Sequence, residues 1–194
     1  MKKLLTLMVK VWNQCYNKIV LRYRGISSGE NLTINGRLRV FGHGTICLGE
    51  NVTINSGLSA NPIGGDSLTI FSLKESAVLT IGDGAGISNA AFVCHERISV
   101  GRRALIGGGT KIYDTDFHSL DHRERGDYAH ESVATRPIVI GDDVFVGAHS
   151  IILKGVTIGD RSIIGAGSVV TKNIPADEVW AGNPARCIRK NHEE

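Results

Sequence analysis

Paired cysteines, a long apolar run and a strong charge bias are all missing from this chain of 194 residues. The four cysteines, Cys15, Cys47, Cys94 and Cys187, stand alone, and none forms a C-x-x-C pair. That usage indicates neither a zinc knuckle nor a disulfide framework, and it fits a reducing, cytoplasmic location. The formal charge is only +3. No dense Lys/Arg stripe interleaved with aromatics occurs, so nucleic-acid binding is not indicated. Aromatics supply 6% of the residues and prolines number 4, whereas glycines number 24. Few large rings and many glycines suit tight turns around a narrow interior. Met1-Lys2-Lys3 followed by Leu4 to Val9 has the outline of a secretion signal. Lys10 interrupts that run, no small-residue cleavage site follows, and the stretch is too short to span a bilayer.

What the chain does have is a rhythm. Ile140, Val146, Ile152, Ile158, Ile164 and Val170 recur at every sixth position. Neither the helical period of about 3.6 nor the strand period of about 2 produces that spacing. It is the signature of a parallel β-helix, in which a short strand and its turn form one flat face of a coil. Ile34, Val40, Ile46 and Val52 keep the same rhythm, and residues 56–66 break it as a loop. It resumes at Ile81, Ile87 and Val93, slips by one residue, and continues at Val100, Ile106 and Ile112. From Tyr113 to Pro137 it is lost in an interval rich in Asp, Glu, His and Arg. A long excursion from a regular solenoid is usually functional or an assembly contact.

The expected organisation is an N-terminal helical segment at 1–25, a repeat β-helix at 26–174 with an excursion loop at 113–137, and a C-terminal cap at 175–194. Pro175 and Pro184 argue against a long regular element in the cap, but Ala185 to Asn191 is compatible with a short helix. Over residues 4–23, Leu4, Met8, Val11, Trp12, Cys15, Tyr16, Ile19, Val20 and Tyr23 follow i, i+3, i+4 spacing. Lys2, Lys3, Lys10, Lys18, Arg22 and Arg24 flank that face. Such a helix either packs on the solenoid or a neighbouring subunit, or attaches to an anionic membrane surface.

The segment Tyr113-Asp114-Thr115-Asp116-Phe117-His118 opens the excursion. An imidazole at the rim of a regular coil can act as a general base near neutral pH, and Asp114, Asp116 or Asp121 can orient it. A lone surface histidine is more often simply solvated, so spacing alone does not make His118 catalytic.

The hexapeptide run, the Asp-Thr-Asp-Phe-His segment, Gly165-Ala166-Gly167-Ser168-Val169-Val170-Thr171-Lys172 and Ala181-Gly182-Asn183-Pro184-Ala185-Arg186 together resemble the hexapeptide-repeat O-acetyltransferases. The likeness is to the colanic-acid and O-antigen type and to the maltose and galactoside enzymes. It implies an all-β, left-handed parallel β-helix, a homotrimer with active sites between subunits, acetyl-CoA as co-substrate, a sugar or glycan acceptor and no metal. It implies that His118 is the catalytic base that takes the proton of the acceptor hydroxyl, whose oxygen attacks the thioester directly without an acyl-enzyme. Asn89, Asp114 and Asp116 fall on the acceptor side. Ala148 and Ala166 match positions facing the pantetheine arm, Thr171 and Lys172 the adenosine end, and Arg186 and Arg189 the nucleotide phosphates. Phe145 stands where some relatives carry Trp, and the spacing up to His118 is one residue longer than in the sugar acetyltransferases.

Other readings remain at this point. A γ-type carbonic anhydrase uses the same fold with zinc-bound histidines, but His118 and His122 are one residue too close for its pair. A non-catalytic solenoid would have no use for the ordered C-terminal set. An antibiotic hydroxyl or a nucleotide-sugar amine is an alternative acceptor.

Overall fold

The computed structural model describes residues 2–126 and 132–191. Asp127, His130 and Glu131 of the charged interval lie outside them. After a helix over Lys2–Tyr23, the chain winds through three sheets in a repeating order. The first face stacks Ser27–Ser28, Thr45–Leu48, Val78–Ile81, Arg97–Val100, Ile138–Ile140 and Thr157–Ile158. The second stacks Thr33–Gly36, Thr53–Ser56, Gly86–Ser88, Leu105–Ile106, Phe145–Val146, Ile163–Ile164 and Glu178–Gly182. The third stacks Arg39–Gly42, Ile70–Leu73, Ala91–Cys94, Lys111–Tyr113, Ile151–Leu153 and Val169–Val170. Each circuit is one coil of a three-sided prism, and every coil-to-coil pairing is parallel.

Register explains the rhythm. Ile54, Ile87, Ile106, Val146 and Ile164 lie directly above one another, and all five are buried. Burying a branched aliphatic side chain contributes about 1.5–3 kcal/mol, so the ladder is the main source of stability. The edge between the first and second faces turns on left-handed residues, Asn51, Arg103, Asp143, Arg161 and Asp177. There Asp83, Asp142 and Asp160 accept backbone N–H bonds from Glu50, Arg102 and Asp142.

Two expectations need correcting. The rhythm places Val93 inside, but Phe92 and Cys94 are the buried residues of that strand. The step from Ile87 to the next inward side chain is shorter than the repeat, so the slip falls before Phe92. Phe92 packs edge-on against Phe71 at 5.4 Å. The C-terminal residues Ala185–Lys190 form a strand antiparallel to Glu178–Gly182, not a helix. Glu178–Gly182 in turn pairs with Ile163–Ile164, so the hairpin occupies a sheet edge that a helix would leave unpaired.

The N-terminal helix packs on the solenoid, one of its expected placements, mainly through polar side chains, with Leu21 against the core. Asn17, 4% exposed, donates to the Gly36 carbonyl and accepts from the Leu38 amide. Asn13 accepts from the Arg37 guanidinium, and Arg24 donates to the carbonyls of Gly42 and Val40. Thr33 and Arg39 donate forward to the second coil. Along a strand the polar groups alternate in direction, so those of Gly36, Val40 and Gly42 point back toward the open end. The helix therefore caps the first coil, satisfying backbone groups that no earlier coil can reach.

Candidate functional site

The excursion leaves the prism at the edge between the third and first faces. Its base is pinned where it departs and returns: Thr115 bridges Thr135 antiparallel, Asp116 N–H donates to Ala134, and Arg136 N–H to Asp114. Asp114 is wholly buried. Its carboxylate accepts three backbone bonds, from His95 at 2.7 Å, Glu96 at 2.8 Å and Arg97 at 2.9 Å. Those amides belong to the preceding coil at the same edge. Elsewhere the next coil supplies such partners; here the chain has departed, and one carboxylate replaces them. Asp114 is thus a structural anchor facing inward, not a side chain open to an acceptor.

Asp116 is partly buried and pairs with Lys154 at 2.9 Å, with side chains 20% and 23% exposed. Phe117 follows in a left-handed conformation at φ 66°, and packs edge-on against Tyr113 at 5.0 Å. The strained backbone turns the chain outward, and His118, the next residue, is exposed. Beyond it, Ser119 donates to Glu124 at 2.9 Å, and Arg125 donates to the carbonyls of Ser119 and Leu120. Asp121, held below the usual carboxylate range by the Arg123 guanidinium and amide, is engaged with that arginine. The histidine therefore rides on a loop tied down on both sides.

Two further groups line this edge. His95 contacts the Phe117 ring at 6.4 Å, and its Nδ1 is buried without a partner. Burial first, then the Lys74 ammonium, pushes its pKa below the ordinary 6.5, against the opposing pull of Asp114. Cys94 is fully buried, and desolvation followed by the Asp114 charge pushes its thiol up to about 12. It stays protonated and is no nucleophile near neutral pH. Thr171 and Lys172 are exposed on the same edge, two coils along from the excursion.

The predicted pantetheine positions lie elsewhere, on the edge between the second and third faces. Ala148 and Ala166 stack there, with Gly167 N–H donating to the Ala148 carbonyl at 2.8 Å. The backbone is bare because close stacking demands it: a Cβ at Gly147 would stand 2.5 Å from the Ala166 nitrogen. Asn89 shares this edge, 2% exposed and left-handed at φ 44°. Both ends of its amide are engaged, accepting from Gly57 N–H at 2.7 Å and donating to the Asn61 carbonyl at 2.6 Å. It fastens the 57–65 loop along the edge, so Asn89 holds a loop rather than presenting a free amide. His149 Nε2 meets the Ile63 carbonyl at 3.1 Å, closing the same clamp. Arg186 and Arg189 are exposed on the terminal hairpin, and Arg186 donates to the Ala185 carbonyl.

Within one chain these residues form two groups on two edges. The third face separates them by the five residue steps from Gly109 to Asp114, roughly 16 Å at about 3.3 Å per residue. Sequence reasoning missed Lys154, His95 and the Asn61–His149 clamp. Lys154 and Asp116 lie in separate coils, and no local signal connects them. The clamp depends on a loop crossing three coils.

A family profile for the hexapeptide repeat of succinyl-transferase matches residues 137–172. WbbJ of Escherichia coli (strain K12), named for lipopolysaccharide biosynthesis O-acetyl transfer, is 29% identical over 176 residues, covering 87% of this chain and 74% of WbbJ. Other curated relatives match over 26% to 47% of their own length. The hexapeptide-repeat acetyltransferase VCA0836 of Vibrio cholerae, solved with acetyl-CoA, superposes with TM-score 0.60 at 25% identity, covering 96% of this chain and 88% of that one. AntD, an N-acyltransferase from Bacillus cereus solved with dTDP and 3-hydroxybutyryl-CoA, gives TM-score 0.69 at 27% identity, covering 90% and 88%.

Proposed function

We propose that this chain, which belongs to the left-handed β-helical hexapeptide-repeat acetyltransferases, moves an acetyl group from acetyl-CoA to a sugar or glycan hydroxyl. The observation that carries the reading is the loop that projects His118 from one edge of the prism, in a chain similar to an O-acetyl transferase over most of its length. In this reading the His118 imidazole takes the proton of the acceptor hydroxyl as its oxygen attacks the thioester carbonyl. The carbon–sulfur bond then breaks, and the imidazolium returns the proton to the leaving sulfur. Without the base the alcohol is a poor nucleophile. The charge developing on the carbonyl oxygen needs donors, and bare backbone of the kind at Ala148 and Ala166 is suited to supply them.

The separation of the two groups supports a homotrimer. If Ala148 and Ala166 of one copy face His118, Thr171 and Lys172 of its neighbour, the roughly 16 Å face no longer divides the site. Arg186 and Arg189 would then meet the nucleotide phosphates. Asp116, locked to Lys154, sets the loop that carries the base. The likeness to AntD favours a second reading, in which the acceptor is the amine of a nucleotide-linked amino sugar.

A thiol-release assay with acetyl-CoA across sugars, glycan fragments and a nucleotide-linked amino sugar decides between the acceptors. His118→Ala is expected to lose about 10²-fold or more in rate with acetyl-CoA binding retained. Equal rates in both proteins would remove His118 from the mechanism. Coexpression of His118→Ala with Ala166→Trp tests the shared site. In randomly mixed trimers about a quarter of the sites pair an intact histidine with an intact groove, so about a quarter of wild-type activity should return. No recovery from mixed, assembled protein would place the whole site in one chain.

A further inference from the structure

We propose that the outward face of the N-terminal helix docks this protein on an anionic lipid bilayer, the helix lying in the interface rather than crossing it. The inference stands apart from the choice of acyl acceptor. The helix meets the coil mainly through Asn13, Asn17 and Arg24, with Leu21 against the core, and leaves most of its large apolar side chains in solvent. Leu4 is 63% exposed, Met8 61%, Trp12 65% and Ile19 68%. These residues, with Val11 and Tyr23, fall within one arc at 100° per residue, which the exposed Arg22 shares in the last turn. Of the eighteen large hydrophobic side chains exposed among the described residues, nine belong to this one helix. An apolar surface of that extent marks an interaction site.

The charge pattern selects the occupant. All 19 acidic residues of the chain lie at Glu30 or beyond, whereas Lys10, Lys18 and Arg22 stand exposed on the helix. Arg37 and Arg39 extend this cationic rim, held over the Tyr16 ring at 5.5 Å and 5.9 Å. An apolar arc with cations at its edge and in its last turn, and free of carboxylates, matches a leaflet of acyl chains beneath anionic headgroups. A second copy of the same helix would oppose cation to cation. The location agrees: the helix caps the end of the coil, which copies packed flank to flank would leave uncovered. No helix among the described residues is long and apolar enough to cross a membrane, so the contact is in-plane.

The test is flotation of the full chain with vesicles of 30% phosphatidylglycerol in phosphatidylcholine, beside vesicles of phosphatidylcholine alone. Wild type is expected to float with the anionic vesicles at least tenfold more than with the neutral ones, and less in high salt. Trp12→Glu/Ile19→Glu should lose flotation at least tenfold while acetyl-CoA binding and the far-ultraviolet spectrum stay unchanged, since both side chains are mostly exposed. Lys10→Glu/Lys18→Glu should lose the preference for anionic vesicles. In a Trp180→Phe background, Trp12 emission should shift to the blue on anionic vesicles. Wild type that ignores anionic vesicles, or an apolar-face variant that floats unchanged, overturns the proposal. So does a smaller oligomer by light scattering in Trp12→Glu/Ile19→Glu, because it would make this face a contact between copies.

Discussion

Replacing Asp114 by Asn changes one atom and should loosen the base of the excursion. In the native protein Oδ1 accepts the His95 amide, while Oδ2 accepts those of Glu96 and Arg97. An asparagine keeps one acceptor oxygen. Placed under Glu96 and Arg97, it leaves its NH2 facing the His95 N–H, donor against donor at the position of a 2.7 Å bond. The orphaned amide costs about 1–3 kcal/mol, and converting two charge-assisted bonds to neutral ones costs about 1 kcal/mol each. Against this, the variant no longer desolvates a carboxylate, which returns part of the loss. The balance is about 2–4 kcal/mol, or a fall in Tm of about 4–16 °C for a chain of this length. Circular dichroism melts at fixed protein concentration read the stability. Thiol release at a temperature where the variant is folded reads the loop, and kcat should fall because the anchored segment carries His118. A melt within about 1 °C of wild type would refute the argument, since a buried donor pair cannot be that cheap.

The remaining expectations concern pH and cofactor affinity. Burial holds His95 neutral below its ordinary pKa of 6.5, so the unfolded chain binds more protons than the native one in the window beneath that value. Stability is therefore fully present above pH 6.5 and falls as the pH drops toward the lowered native pKa. His95→Gln should flatten denaturant midpoints measured across that window, and an unchanged slope would contradict the assignment. Arg186→Ala should weaken acetyl-CoA binding by titration calorimetry while acceptor affinity is unchanged; unaltered affinity would remove Arg186 from the phosphate site.

Period six could reveal the prism because each face repeats the same demand for one inward branched side chain. Ile87, Ile106, Val146 and Ile164 answer it in register. The rhythm failed at Val93 because it counts residues and not turns: a shorter turn at Asn89 moved Phe92 inside. It also reported nothing about corners, where function gathers. His118 drew notice because it stands where a coil is abandoned, and it is exposed there. Asp114, four residues earlier in the same segment, looked equally suited to chemistry, yet its oxygens are committed to the backbone that the departing chain left unpaired. Asn89 misled for a related reason, since a left-handed corner and a free amide call for the same residue type, and only the loop lying over it separates the two. The N-terminal helix shows the limit most plainly. An amphipathic pattern states that one side is apolar and the other polar; it does not state which side meets the protein. Here the first coil presents unpaired carbonyls beside a small apolar patch that Leu21 covers, so asparagine and arginine are its main partners. That choice leaves Leu4, Met8, Trp12 and Ile19 facing away, and a surface left apolar by the fold's own edge must find its complement outside the chain.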